Sequence, residues 1–249
     1  SLYRQGLFDI ESALMAELNH ICPFEFANNK FDTLVKMQHF GLPTRLLDMT
    51  TNPLVALYFA CENENEMASD SIVYIFPNLP VIWSTDPLVE LVMDYVFDYF
   101  ARGVDLDKML EKSQIKYKDV MYRSMPNDIK SLKSYLTIPA FPVMPAKTNE
   151  RINAQDGTFF ICGMQIEDSM KRNGSIEYNA MAYERIMPEK ICQSPQTIII
   201  PSLAKEKILD ELDKLGVNER KLFPDLTHQI KYAVKCMKDT SRTMLKLAR

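Results

Sequence analysis

Apolar residues recur at helical spacing in some stretches of the chain and at strand spacing in others. Leu88, Leu91, Val92, Tyr95, Val96 and Tyr99 fall at i, i+3, i+4, i+7, i+8 and i+11, which predicts an amphipathic helix stopped by Gly103. Phe31, Leu34, Val35 and Gln38 share one face of an earlier helix that runs from Phe31 to about His39 and ends at Gly41-Leu42-Pro43. Leu14 to Phe26 is mixed in pattern and broken by Pro23. Thr44 to Asp48 reads as a short strand, with Thr44 and Leu46 on one side and Arg45 and Leu47 on the other. Asn52-Pro53 then opens a helix over Leu54 to Ala60: Asn52 can cap it, and Pro53 fits a first turn where its missing N–H costs nothing. That helix is apolar nearly all round, which predicts burial on several sides.

An acidic loop, Glu62 to Asp70, leads to a strand over Ser71 to Phe76. A short helix follows through Leu106, Met109 and Leu110, and residues 111–150 are the least regular part of the chain. Prolines at 139, 142 and 145 predict an extended rim or loop over Ile138 to Lys147. Asp156-Gly157 introduces a strand, Thr158 to Cys162, and Gly163 and Gly174 flank a polar connection with the character of a hairpin. Gln196 to Ile200 is a strong strand signal. Ser202 to Leu215 is a helix with Ile208, Leu212 and Leu215 facing inward, closed by Gly216. Pro224 opens a last helix carrying Leu226, Ile230, Ala233, Val234 and Met237. Strands and helices do not alternate regularly, so the pattern predicts an α+β fold: a modest mixed or antiparallel sheet with helices packed on it.

Composition adds limits. With 249 residues, 47% of them hydrophobic and 25% charged, the chain can bury a sizeable core as a single domain over 1–249. A net charge of −4 offers no global attraction to a nucleic-acid backbone. The late basic residues Lys231, Lys235, Lys238, Arg242, Lys246 and Arg249 do not gather on one helical stripe, which favours a solvated face over a nucleic-acid footprint. The longest apolar run, Leu54 to Cys61, is far too short to span a membrane. Five scattered cysteines without a CxxC pair read as free thiols in a reducing compartment, and the expected location is cytoplasmic. No spacing of His and Cys assigns a metal ligand. No Walker A loop, dinucleotide glycine fingerprint, HExxH pair or GxSxG elbow occurs, and no pattern fixes an oligomeric state.

The densest polar constellation lies between Gln38 and Pro53. Gln38, His39, Thr44, Arg45, Asp48, Thr50 and Asn52 alternate with residues that belong in a core. Polar groups set against an apolar wall must find partners, so the layout gives either a lined pocket or a satisfied internal network. In the pocket reading the Arg45 fork takes a carboxylate or phosphate, Asp48 holds that fork, and His39 donates to a ligand or serves as a base. In the other reading Arg45 and Asp48 form a structural ion pair and His39 is a packed cap. A second constellation is Arg151, Asn153 and Gln155, which would point to one side if the stretch is extended. Gln155 offers both a donor and an acceptor to a ligand amide or hydroxyl. Glu177, Glu184 and Arg185 form a weaker third group.

The segment Met37-Gln38-His39-Phe40-Gly41-Leu42-Pro43-Thr44-Arg45-Leu46-Leu47-Asp48, followed by Thr50 and Asn52-Pro53-Leu54-Val55-Ala56-Leu57-Tyr58-Phe59-Ala60, resembles the central motif of the FRG domain family. Arg151-Ile152-Asn153-Ala154-Gln155-Asp156-Gly157-Thr158-Phe159 and Leu222-Phe223-Pro224-Asp225-Leu226 are similar to later family segments. Ser1-Leu2-Tyr3-Arg4 resembles the family's second landmark, which implies that the first, arginine-bearing strand is missing from this chain. The family pattern is loosely similar to ADP-ribosyltransferase-like folds. That analogy implies NAD as the cofactor, Thr50 at the second site position and Gln155 at the third, with Arg45, Asp48, Asn52 and Arg151 binding the ligand. A ribosyl-cation-like transition state calls for a carboxylate, so the neutral Gln155 fits nucleotide binding better than transfer.

Three function classes follow. The first is a domain that binds NAD or a related small-molecule nucleotide in a cleft lined by His39, Arg45, Asp48 and Gln155. The second is a non-catalytic interaction or scaffold domain with a protein partner, in which the same residues form a structural polar network. The third is a metal-dependent phosphoester hydrolase using His39 and Asp48.

Overall fold

The computed structural model describes residues 5–26, 29–98, 103–116, 127–147, 149–170, 176–183, 185–230, 232–234 and 236–237. Along the chain these residues form helices α1 (Glu11–Ile21) and α2 (Lys30–His39), strand β1 (Leu46–Thr50), helix α3 (Pro53–Cys61), and strands β2 (Ser71–Ile75) and β3 (Ile82–Trp83). Helix α4 (Pro87–Asp98), strand β4 (Gly103–Val104), helices α5 (Leu106–Lys116) and α6 (Ile129–Leu136), and strand β5 (Ala140–Met144) come next. Helix α7 (Glu150–Ala154), strands β6 (Gly157–Cys162), β7 (Gln165–Met170) and β8 (Ile176–Met181), helix α8 (Pro188–Ile191), strand β9 (Gln196–Ile200) and helices α9 (Lys205–Lys214) and α10 (Glu219–Leu222) complete the order. Small mixed sheets with packed helices make the fold α+β. Among the described residues no helix is long and apolar enough to cross a membrane.

The chain divides into two compact units, each assembled from separated stretches. The first takes residues 1–48, 78–146 and 159–194. Its main sheet has the order β1-β6-β5-β3, with β5 antiparallel to β6 and parallel to β3. A second sheet has the order β4-β8-β7, in which β7 and β8 pair antiparallel from Gln165↔Met181 to Met170↔Ile176. Helix α4 packs against α1 and α2, and α5 against α6. Phe31, Leu34, Val89, Val96, Leu106, Leu132 and Val143 are fully buried in this unit. The Phe31 ring meets Phe159 edge-on at 6.0 Å.

Several expectations change here. Glu11 to Ile21 is helical although the pattern from Leu14 onward is mixed, because the helix is anchored by buried polar residues, Glu11 and Ser12, beside Met15. The expected proline-spaced rim over Ile138 to Lys147 contains β5, whose residues 140–143 are buried. Pro142 is tolerated there because the short β3 opposes only Val143 and Met144, so the missing donor has no neighbour on that side. The hairpin expected after Gly163 is β7–β8; its turn, with Gly174, lies outside the described residues, as do Ser1 to Arg4, Tyr99, Glu184 and the late basic residues. Gly163 itself is required by packing, since a Cβ at this position would lie 1.9 Å from the Ile138 carbonyl oxygen.

The second unit takes residues 49–77, 147–158 and 195–249. Helix α3 packs against α9 and β2, and β2 pairs antiparallel with β9 from Ser71↔Ile200 to Ile75↔Gln196. Val55, Tyr58, Leu212, Val217, Leu222 and Phe223 form its core, with Leu57, Ile208 and Leu209 packed against them. Helix α3 is not buried on several sides: Val55, Tyr58 and Cys61 form one buried row, while Leu54 and Phe59 stay exposed. Leu215, expected to face inward, caps α9 and is exposed, because Gly216 at φ +77° turns the chain so that Val217 fills the core and its N–H bonds the Leu212 carbonyl at 2.8 Å. Lys205, almost wholly buried at the start of α9, donates to the Glu66 carbonyl at 2.9 Å and so pins the acidic loop.

Candidate functional site

Within the first unit, the motif begins at the end of α2. Asn29 caps this helix by accepting from the Phe31 and Asp32 N–H groups, and Gly41 at φ +96° reverses the chain behind it. Thr44, Arg45 and Leu46 are buried in succession, so the expected two-sided alternation fails and β1 begins two residues later than predicted. The reason is chemical: Thr44 is buried because its hydroxyl is used twice. It donates to Gln38 Oε1 and accepts from the Leu46 N–H at 3.1 Å. Gln38 Nε2 in turn donates to Asp48 Oδ1 at 2.8 Å. A short polar chain therefore ties α2 to β1.

Arg45 is only 1% exposed. Its Nε donates to both oxygens of Glu11, at 2.9 and 3.0 Å, and a terminal nitrogen completes the fork to the same carboxylate. The guanidinium also lies 5.6 Å from the centre of the Tyr95 ring. The expected Arg45–Asp48 pair is thus corrected: the partner is Glu11, 34 residues earlier, while Asp48 is exposed and bonded to Gln38. Burial pushes the Tyr95 phenol up to about 12 and the Cys162 thiol up to about 11, in each case against the opposing pull of Arg45. The Cys162 N–H donates to the Arg45 carbonyl at 3.1 Å. His39 is half-buried at the end of α2, edge-on to Phe40 at 5.2 Å.

Within the second unit, Thr50, Asn52, Arg151 and Gln155 belong to one hydrogen-bonded assembly. Thr50 Oγ1 donates to the Gln155 carbonyl at 2.7 Å and accepts from the Asn52 N–H at 3.0 Å. Asn52 caps α3 by accepting from the Leu54 N–H at 3.0 Å, and its Nδ2 donates to Asp156 Oδ2 at 3.0 Å. The Thr51 N–H donates to the Asp156 carbonyl at 3.1 Å. The Gln155 side-chain amide donates to the Leu222 carbonyl at 3.0 Å.

Arg151 to Gln155 is not extended. Asn149 accepts from the Arg151 N–H at 2.8 Å and starts α7, so the three polar side chains do not share a strand face. The turn out of the helix uses Asp156 at φ +45°, a left-handed position that aspartate tolerates. Arg151 instead lies over Phe223, 4.7 Å from the ring centre. Phe223 stacks with His228 at 4.7 Å, and the His228 Nδ1 is held by both oxygens of Asp225 at 2.7 and 2.8 Å. That bond holds the Asp225 carboxyl below its usual range. Glu62, at the end of α3, is raised by burial and by Glu219, against the pull of Arg151 and His228.

The pattern missed Glu11, Glu62, Phe223, Asp225 and His228. Asp225 carried a signal, since an aspartate three residues before His228 at the start of a helical stretch is a capping arrangement, and His228 N–H indeed donates to Asp225 at 3.1 Å. Glu11 carried none, because ion-pair partners far apart in sequence leave no periodic trace. Among the described residues no group of three or more His, Cys, Asp or Glu side chains is placed to hold a metal ion.

An α+β chain whose motif residues are bonded mainly to one another and to the backbone is the class that fold and site define. Residues 12–69 match the family model of the FRG domain, and the chain carries an FRG domain there, as its central motif implies. The matched stretch includes Glu11's neighbour Ser12 and runs through α3 and the acidic loop; Arg151, Gln155 and the segment 222–226 lie outside it. No curated protein and no solved structure matches the chain.

Proposed function

We propose that this chain is a non-catalytic binding module that engages a protein partner, and that the polar residues of its FRG motif hold the fold. The observation that carries this reading is Arg45, 1% exposed and forked onto the equally buried Glu11. A guanidinium that serves a nucleotide phosphate or substrate carboxylate has to present its donors to a cleft; this one turns Nε and one terminal nitrogen onto an internal carboxylate, and its whole side chain is buried. The other motif groups support the same reading. Gln38, Thr44 and Asp48 form one chain of bonds, and Thr50, Asn52 and Gln155 spend side-chain atoms on backbone groups or on Asp156. The reading in which NAD sits beside Gln155 requires that amide to leave the Leu222 carbonyl.

Calorimetry with NAD and with ADP-ribose at millimolar concentration tests the proposal, together with the Gln155→Ala variant. The expected result is no ligand heat, and a lower melting temperature in the variant because the bond to Leu222 is lost. Saturable heat that disappears in Gln155→Ala at unchanged melting temperature overturns it in favour of nucleotide binding.

A further inference from the structure

Strand β9 stands out in the second unit because it is exposed on both faces. Antiparallel pairing with β2 sets Ile198 opposite Val73 and Ile199 opposite Ile72, so successive isoleucines point to opposite sides of the ribbon. Ile198 is 49% exposed and Ile199 63%, and Gln196 and Thr197 are exposed as well. Only Ile200 is buried. Across the ribbon, Ile72 and Tyr74 extend the apolar face on the Ile199 side.

Among the described residues no strand pairs with the outer edge of β9: the sheet they form has two strands, β2 and β9, and β2 is the strand that leans on α3. In an antiparallel pair, alternate residues aim their N–H and C=O groups away from the partner, so β9 presents a row of backbone donors and acceptors along its far side. Natural edge strands are blunted by a charge, an internal proline or a bulge. Gln196-Thr197-Ile198-Ile199-Ile200 has none of these, and Pro195 and Pro201 confine the available ladder to these five residues.

We propose that β9 is a self-pairing edge: two copies of this chain join β9 to β9 antiparallel about a two-fold axis, making a continuous four-stranded sheet β2-β9-β9-β2. The occupant is a second copy because the edge meets its own requirements. An antiparallel two-fold match places a strand of identical length opposite itself, ends both ladders at the same prolines, sets no charge against a like charge, and closes without further addition. The Ile199 side chains of the two copies then share one face with Ile72 and Tyr74. The proposal uses none of the residues on which the binding-module reading rests, so the two stand or fall apart.

Sedimentation equilibrium on the full chain, from about 1 to about 100 µM, gives the association constant directly. The expected result is a dimer that dissociates on dilution. Pairing that ends at the same prolines centres on Ile198 and sets Thr197 of one copy opposite Ile199 of the other. Ile199→Lys and, independently, Thr197→Lys each place two charges in the ladder, one on either side of that centre and on the same face; each is expected to weaken association at least about tenfold while leaving the melting curve of the monomer in place. Hydrogen exchange supplies a second readout, because the outward β9 amides are expected to slow with protein concentration in the parent and not in either variant. A monomer throughout the range overturns the proposal and leaves the edge to an extended segment of another protein. A dimer of undiminished strength in both lysine variants overturns it as well.

Discussion

A buried guanidinium is costly unless a carboxylate of matching geometry shares its site, and Arg45 has one in Glu11. Removing either partner leaves the other charged and out of water, so Arg45→Ala or Glu11→Ala is expected to destabilise by about 3–5 kcal/mol. The double variant is expected to lose much less than the sum, because it strands no charge. Arg45→Lys tests geometry apart from charge: an ammonium cannot reproduce the two-pronged contact through Nε and a terminal nitrogen, so most of the loss is expected to remain. Urea unfolding of the four variants measures these effects. Additive losses below about 1 kcal/mol each would mean that the pair does not couple α1 to the motif, and would remove the main support for a structural role. Gly163 is a second single-residue constraint. A methyl group there meets two carbonyl oxygens of the α6–β5 connection, Ile138 at 1.9 Å and Leu136 at 2.9 Å, so Gly163→Ala requires backbone movement. Its expected cost, also read from urea unfolding, is on the order of 4 kcal/mol, at the far end of what single substitutions do.

Elements were legible where their signal was local. Helix α2 and the Asn52-Pro53 start of α3 lie where spacing and capping chemistry place them, because a cap and its target N–H are two or three residues apart. The same locality made β9 visible, as a run of β-branched residues between prolines. Misreadings arose where a distant group decides. Thr44 and Arg45 look like opposite faces of a strand, but Gln38 and Glu11 draw both inside. The stretch from Arg151 looks like an alternating strand, but the Asn149 cap makes it a helix, and Arg151 finds Phe223 instead of a ligand face. Asn52 joins both kinds of signal, since its Oδ1 caps α3 and its Nδ2 reaches Asp156, 104 residues on. Asn52→Asp keeps the cap and sets a like charge against Asp156, whereas Asn52→Ala loses both bonds. Loss of the cap and the long-range bond in Asn52→Ala is expected to cost about 2 kcal/mol. Asn52→Asp is expected to lose part of that at neutral pH, and thermal melts of the two variants separate the local contribution from the distant one.

At the scale of the whole molecule, the α+β class was readable from the irregular order of elements, but the division into two units was not, because each unit is stitched from separate stretches of chain. Both units nevertheless share one device that makes stability depend on acidity. Asp105 and Asp128 in the first unit and Asp225 in the second each accept the N–H three residues ahead, at 3.0, 2.7 and 3.1 Å. At Asp105 and Asp128 those bonds favour the ionised carboxylate; at Asp225 the bond from the His228 ring does so first and the backbone bond adds to it, and all three groups are held below the ordinary aspartate value of 3.8. A carboxyl group depressed by folding stabilises the native state above its unfolded value and loses that contribution as pH falls through the lowered native value. Asp32 and Glu62 work the other way. Burial raises them above 3.8 and 4.5, so their contribution is complete in acid and is lost as pH rises through the raised values. The melting temperature is therefore expected to fall steeply below about pH 4, where the three caps titrate, and to decline only gently above it where Asp32 and Glu62 ionise. Asparagine caps a helix as well as aspartate does but carries no titrating proton. The double variant Asp105→Asn, Asp128→Asn, which leaves the Asp225–His228 bond in place, is accordingly expected to melt near the parent temperature at neutral pH and to show a shallower acid limb in melts from about pH 2 to about pH 7. An acid limb of unchanged steepness would place the proton uptake on other carboxylates and refute the assignment to the helix caps.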